Sequence, residues 1–176
     1  MQLDVIGYRY STDELSVLMS LQGRERIPAV PGIHQPNREH FSHGLELLEE
    51  NDILSDVNGK LLLDRIHALL ISNLCDCDRY FSISKDRDFL AFCVCPQIVM
   101  TVQTRDGERW VIRVAPDADG IREEYEQETK HFRGDCTIRM NDGDGEEKST
   151  ILHREVLEKK IREAVAALKI RKRLFD

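Results

Sequence analysis

What this chain lacks narrows its function before anything it contains does. It has no excess of positive charge: 25 Lys and Arg stand against 32 Asp and Glu, for a formal net charge of −7. Non-specific attachment to nucleic acid or to an anionic membrane favours the opposite sign. No apolar run approaches the roughly 20 residues needed to cross a bilayer. Met1-Gln2-Leu3-Asp4 lacks the basic start and apolar core of a secretory signal. A cytoplasmic location with no membrane partner is therefore expected. No nucleophile motif, glycine-rich phosphate loop or His-Glu zinc helix is present, so neither enzymatic activity nor a cofactor is expected. The sequence also has no internal repeat.

Cysteine is present but without a disulfide framework. Cys75, Cys77, Cys93, Cys95 and Cys136 make an odd count with two Cys-x-Cys pairs. Four thiolates could satisfy tetrahedral zinc, but structural sites use ligand spacings of two to four residues. Cys93 and Cys95 also sit in the apolar run Phe89–Cys95, where cysteine behaves as a small hydrophobe. Core cysteine rather than metal is expected. Of His34, His40 and His43, only the last two share a helix face, and no suitably spaced Asp or Glu completes a ligand set. These are expected to be surface or capping histidines. The run from Asp142 to Glu147 fails as a calcium loop, because aligning its glycines puts Ile138 or Met140 at the first ligand position. A hairpin turn explains it. Glu49-Glu50 and Glu123-Glu124 read as solvated helix faces, and the Lys169–Arg173 cluster as cations favoured at a helix C-terminus.

The positive signals describe an α+β chain. Leu3 to Tyr10 is β-branched and aromatic enough for a strand. Ser11-Thr-Asp-Glu14 is a capping box opening a short helix that turns Leu15, Leu18 and Met19 inward and ends at Gly23. Ile27 to Pro36 is a proline-rich connector. A second helix runs from about Asn37 to Glu50 with Phe41, Leu45 and Leu48 on one face. Asn58-Gly59 marks a tight hairpin. Asp64 caps a third helix in which Ile66, Leu69, Leu70 and Leu74 make two apolar sides, which predicts a position central to the first lobe.

Strands then follow at Tyr80–Ile83, Phe89–Cys95, Ile98–Thr104 and Glu108–Ala115. A two-residue turn at Asp106-Gly107 would pair Gln103 with Trp110 and Thr101 with Ile112. Neither face of the resulting sheet is polar. Both faces are expected to be covered, the alternative being one face, with Trp110, offered to a partner. Asp117 can cap a helix with Ile121 and Tyr125 on one side. A final helix from about Leu152 to Leu174 carries a stripe of Leu157, Ile161, Ala164 and Leu168. The expected organisation is one domain over 1–176: a mainly helical lobe (1–78), then an antiparallel sheet and a long C-terminal helix (79–176).

The stretch from Phe41 to Leu74, helix then hairpin then helix, has the outline of a winged-helix unit. Yet it holds two cations, Lys60 and Arg65, against six carboxylates, Glu46, Glu49, Glu50, Asp52, Asp56 and Asp64. Duplex DNA is bound by neutralising phosphates. That sign argues for a protein partner, with a winged-helix transcription regulator as the alternative.

The layout resembles the EspG family of cytosolic type VII (ESX) secretion chaperones over about Leu15 to Glu128. The resemblance rests on Leu18-Met-Ser-Leu21-Gln-Gly23 followed by Ile27-Pro28, and on Leu45-Glu-Leu-Leu48-Glu-Glu-Asn-Asp-Ile53-Leu54. Gly59-Lys-Leu61 and the helix to Leu74 follow, then the strands around Trp110-Val-Ile112. Asn51-Asp52 stands where the family tends to have glycine, and the chain matches only one half-unit of the family's two-half proteins. The resemblance implies a chaperone that binds secreted helical-hairpin proteins without catalysis, and a homodimer that completes the sheet. It assigns no partner-binding residues.

Overall fold

The computed structural model describes residues 6–96, 98–115, 122, 125, 127–153, 159, 162, 163 and 166. The elements are β1 (Ile6–Ser11), α1 (Thr12–Leu21), α2 (Arg38–Glu50), β2 (Leu54–Val57), β3 (Lys60–Leu63) and α3 (Arg65–Cys75). They continue as β4 (Arg79–Lys85), β5 (Asp88–Val94), β6 (Val99–Thr104), β7 (Arg109–Ala115), β8 (Asp135–Asp142) and β9 (Lys148–His153). The expected helices led by Asp117 and spanning Leu152–Leu174, with Ile121, Leu157, Ile161, Ala164, Leu168 and Lys169–Arg173, fall largely or wholly outside the described residues.

Seven strands form one antiparallel sheet in the order β1-β7-β6-β5-β4-β8-β9, while β2 and β3 pair only with each other. The first strand pairs with β7, so the chain before residue 78 contributes an edge of the main sheet as well as the helices. Both sheet faces are covered. On one face Tyr10, Trp110, Ile112, Met100, Val102, Ala91 and Cys93 pack against Leu15, Leu18, Leu48, Leu70 and Leu74 of the three helices. On the other, Phe81, Ile83, Leu90, Phe92 and Val94 pack against Tyr125 and Phe132. Fully burying such a side chain contributes about 1.5–3 kcal/mol, which makes a strand apolar on both sides stable only between two layers.

Local chemistry sets the helix starts. The capping box forms: the Glu14 amide donates to Ser11 Oγ (3.1 Å) and the Ser11 amide to Glu14 Oε2 (2.6 Å). Asn37 caps α2 and Asp64 caps α3 in the same manner. Gly44 lets α2 lie on α1, since a Cβ there would stand 2.7 Å from both the Asp13 carbonyl oxygen and Val17.

Two expectations are corrected. In the β6–β7 hairpin Thr104 pairs with Trp110 and Val102 with Ile112, one residue away from the register a two-residue turn would give. Asp106 Oδ1 accepts the amides of Glu108 and Arg109, and the Thr104 hydroxyl accepts that of Gly107, which closes a longer loop with only Gly107 at positive φ (77°). A slip of one residue exchanges faces, so Met100 and Val102, not Val99 and Thr101, share the face of Trp110 and Ile112. The second correction concerns α3. Only Leu70, Ile71 and Leu74 are buried, and Ile66 and Leu69 are exposed, so its second apolar side has no cover among the described residues.

Candidate protein-binding surface

Eight large apolar side chains are exposed among the described residues, and five of them fall on β2, β3 and α3. Asn58 (φ 56°) and Gly59 (φ 77°) make the tight turn their residue types favour, and the Gly59 amide donates to Asp56 Oδ1. The turn projects β2 and β3 as a two-stranded ribbon, anchored where the Asp64 amide donates to the Ile53 carbonyl (2.8 Å) and where Ile53 and Leu54 are buried. Beyond that anchor Val57, Leu61, Leu62, Ile66 and Leu69 are 46–59% exposed. A ribbon of two strands is marginal in water by itself. Val57 and Leu62 share one face of the ribbon and Leu61 takes the other, and large apolar side chains exposed in one part of a fold are a mark of interaction sites. Within the Phe41–Leu74 stretch that contains these residues, six carboxylates outnumber two cations.

The base of this arm is fastened to the sheet edge by His67. Its Nδ1 accepts from the Tyr10 hydroxyl (2.6 Å), and the rings of Tyr8 and Tyr10 stand edge-on to it at 5.4 and 5.7 Å. Burial holds the His67 imidazole below its ordinary pKa, against the pull of Asp64 and Glu14, and burial raises that of the Tyr10 phenol. The neutral imidazole is the form that can accept this bond.

Most other groups singled out from the sequence, among the described residues, are engaged in structure. Trp110 is buried, edge-on to Phe89 at 5.8 Å, and its Nε1–H donates to Thr12 Oγ1 (3.0 Å). The alternative in which Trp110 faced a partner is therefore displaced. An open cavity of about 730 Å³ beside it is lined by Tyr10, Glu14, Asn51, Ile53, Arg105 and Arg109 among others. Several of its polar groups are partnered: Asn51 Nδ2 donates to Glu14 Oε1 (2.9 Å), Arg105 meets Glu128, and Arg109 meets Asp106. The carboxylate at position 14 thus ties the end of α2 to the start of α1.

Asp13 was not linked to the histidines by sequence spacing, yet α1 brings it between them. His40 Nδ1 lies 2.9 Å and His43 Nδ1 2.7 Å from its two carboxylate oxygens. Burial alone would raise the Asp13 pKa, but hydrogen bonds from His43 and His40 lower it, and the same bond raises that of His43. His34 is exposed in the connector. Cys77, Cys93 and Cys95 belong to the core beneath the helices, where Cys77 Sγ donates to the Arg79 carbonyl (3.2 Å) and Cys95 Sγ to the Asn73 carbonyl (3.4 Å), while Cys136 lies in the opposite core. Contact with Cys77 and burial push the Cys93 and Cys95 thiols up. Among the described residues no group of three or more His, Cys, Asp or Glu is placed to hold a metal ion. Nor does any helix among them have the length and apolarity to cross a membrane. Asp142 ends β8 and the following residues turn into β9, with Gly143 and Gly145 at positive φ.

No protein-family model matches the chain, and no curated protein is detectably similar to it.

Proposed function

We propose that this α+β protein is a non-enzymatic protein-binding adaptor, or chaperone, that docks a helical segment of a partner on the β2–β3/α3 arm. One observation carries the reading: five large apolar side chains are exposed on the ribbon and the helix that follows it, Val57 and Leu62 on one ribbon face and Leu61 on the other, with no other cover among the described residues. An apolar helix face laid along Leu62, Ile66 and Leu69 is the ordinary way such a surface is used. The acidic excess of the Phe41–Leu74 stretch favours a partner whose helix carries Lys and Arg beside its apolar stripe, and it opposes DNA. The EspG-like spacing makes a secreted helical-hairpin protein the first partner class to test.

The test is capture from nuclease-treated host lysate with the tagged full chain and with the double variant Leu62→Asp/Leu69→Asp. The expected result is a partner retained by the wild type and lost from the variant. Equal recovery by both would sink the proposal. Salt-sensitive binding to duplex DNA that survives the double substitution would favour the winged-helix alternative.

A further inference from the structure

Three side chains outside the arm converge between the first two helices. His40 and His43 stand three residues apart on α2, so both leave the same helix face. Both rings turn toward α1, where they meet the two oxygens of one carboxylate. His40 Nδ1 lies 2.9 Å from Asp13 Oδ1 and His43 Nδ1 lies 2.7 Å from Asp13 Oδ2. An ionised carboxylate only accepts hydrogen bonds, so both contacts need the ring proton on Nδ1. In each neutral ring the lone pair is then on Nε2. Neither Nε2 has a partner among the described residues, and both side chains are more than half exposed.

Histidines that bind metal are held in this way. A ligating imidazole ordinarily donates its other ring N–H to a carboxylate, which fixes the tautomer, orients the ring and raises the basicity of the free nitrogen. Here one carboxylate serves two rings. Its backbone is fixed by the close approach of the helices, since a Cβ at Gly44 of α2 would stand 2.7 Å from the Asp13 carbonyl oxygen. The surrounding charge also has the required sign. Asp13, Glu46 and Glu14 all favour a cation at the His43 ring. A divalent metal ion competes with the proton for that place.

We infer that His40 Nε2 and His43 Nε2 together bind one zinc ion, with Asp13 as the positioning residue that orients both rings. Imidazole suits borderline divalent ions such as zinc and copper(II), whereas magnesium and calcium take oxygen ligands. No group of three or more His, Cys, Asp or Glu among the described residues is placed to hold a metal, so the protein supplies two ligands and water the rest. Because the ring orientation depends on a side chain of α1, the bound ion ties α2 to α1.

Calorimetric titration of the full-length protein with zinc tests this, with the histidine ring nitrogens followed by NMR. One ion per chain is expected, shifting the Nε2 resonances of His40 and His43 while both Nδ1 keep their protons. Affinity is expected to fall about 10–100-fold in Asp13→Asn, the usual cost of removing an outer carboxylate, and by more in His40→Ala or His43→Ala, which remove a ligand. His34→Ala, in the exposed connector, binds as the wild type does. Zinc bound as tightly by Asp13→Asn as by the wild type would mean adventitious binding to a surface pair only, and overturns the inference. So does coordination through Nδ1, binding that survives the loss of either histidine, or the absence of saturable binding. The wild-type NMR result decides the matter even if a variant loosens the helices.

Discussion

Strand β5, Asp-Phe-Leu-Ala-Phe-Cys-Val, and strand β3, Lys-Leu-Leu-Leu, are both apolar runs, yet the structure treats them oppositely. The first has a hydrogen-bonded neighbour on each side and a core against each face, and every residue from Phe89 to Val94 is buried. The second has one neighbour, and Leu61 and Leu62 are exposed. An apolar pattern states that a segment needs cover. It does not state whether the cover lies in the same chain. In β5 the demand is met within the fold, and in the arm it is not met among the described residues.

The sharpest way to break that contrast is to delete a side chain from the covered region. Phe92 is fully buried, edge-on to Tyr125 at 5.2 Å. Phe92→Ala is expected to lower unfolding stability by about 3–5 kcal/mol, the usual cost of a large cavity in a packed core. Leu62→Asp is expected to change it by about 0.5 kcal/mol or less, as at other exposed sites. Urea denaturation of the two variants, at protein concentrations low enough to suppress self-association, makes the comparison. Equal losses would mean that the arm is integrated into the core after all.

A smaller effect tests whether the helical layer is as closely fitted as the sheet. Gly44→Ala improves helix propensity by about 1 kcal/mol. It also drives a methyl group to 2.7 Å from the Asp13 carbonyl, a backbone atom that cannot swing aside. Net destabilisation of about 1–2 kcal/mol is expected, in the range of overpacking. A stabilised protein would show that α1 and α2 separate easily.

Much of this fold was legible in the sequence, and the misreadings have physical causes. Asn58-Gly59 and Asp106-Gly107 carry the same kind of turn signal. The first gives a two-residue loop because Asn58 adopts positive φ. In the second Asp106 does not. Its carboxylate gathers two downstream amides, lengthening the loop and reversing the faces of the pairing. The capping box and the Asp64 cap were legible because their partners lie within four residues, whereas Asn37, read as the first residue of α2, is its cap. The Asp13 contacts with His40 and His43 were not legible, since they span about 30 residues and depend on the α1–α2 approach that Gly44 permits. The arm was half legible: the two apolar sides of α3 were visible, but only packing could say that one side has no cover among the described residues.

The smallest expected effect lies at the junction between the two regions, where His67 joins α3 to β1. Its folded pKa is depressed, so between the unfolded value of about 6.5 and that lower value the unfolded chain binds the proton more tightly. Stability from this contact is therefore full above about pH 6.5 and declines as pH falls through that value toward the folded one. Protonation also removes the acceptor for the Tyr10 hydroxyl, while Asp64 and Glu14 nearby oppose the loss by favouring the cation. The Asp13–His43 pair has the reverse sign, because the raised His43 pKa makes its contribution grow as pH falls toward and below neutrality. Whole-protein pH dependence mixes these terms, so a difference isolates the junction. The stability gap between wild type and His67→Gln is expected to narrow, by an amount smaller than the Gly44→Ala effect, on moving from pH 7.5 to 5.5. A gap that widens in acid would mean that His67 is held as the cation, with Asp64 rather than Tyr10 as the partner that fixes the arm.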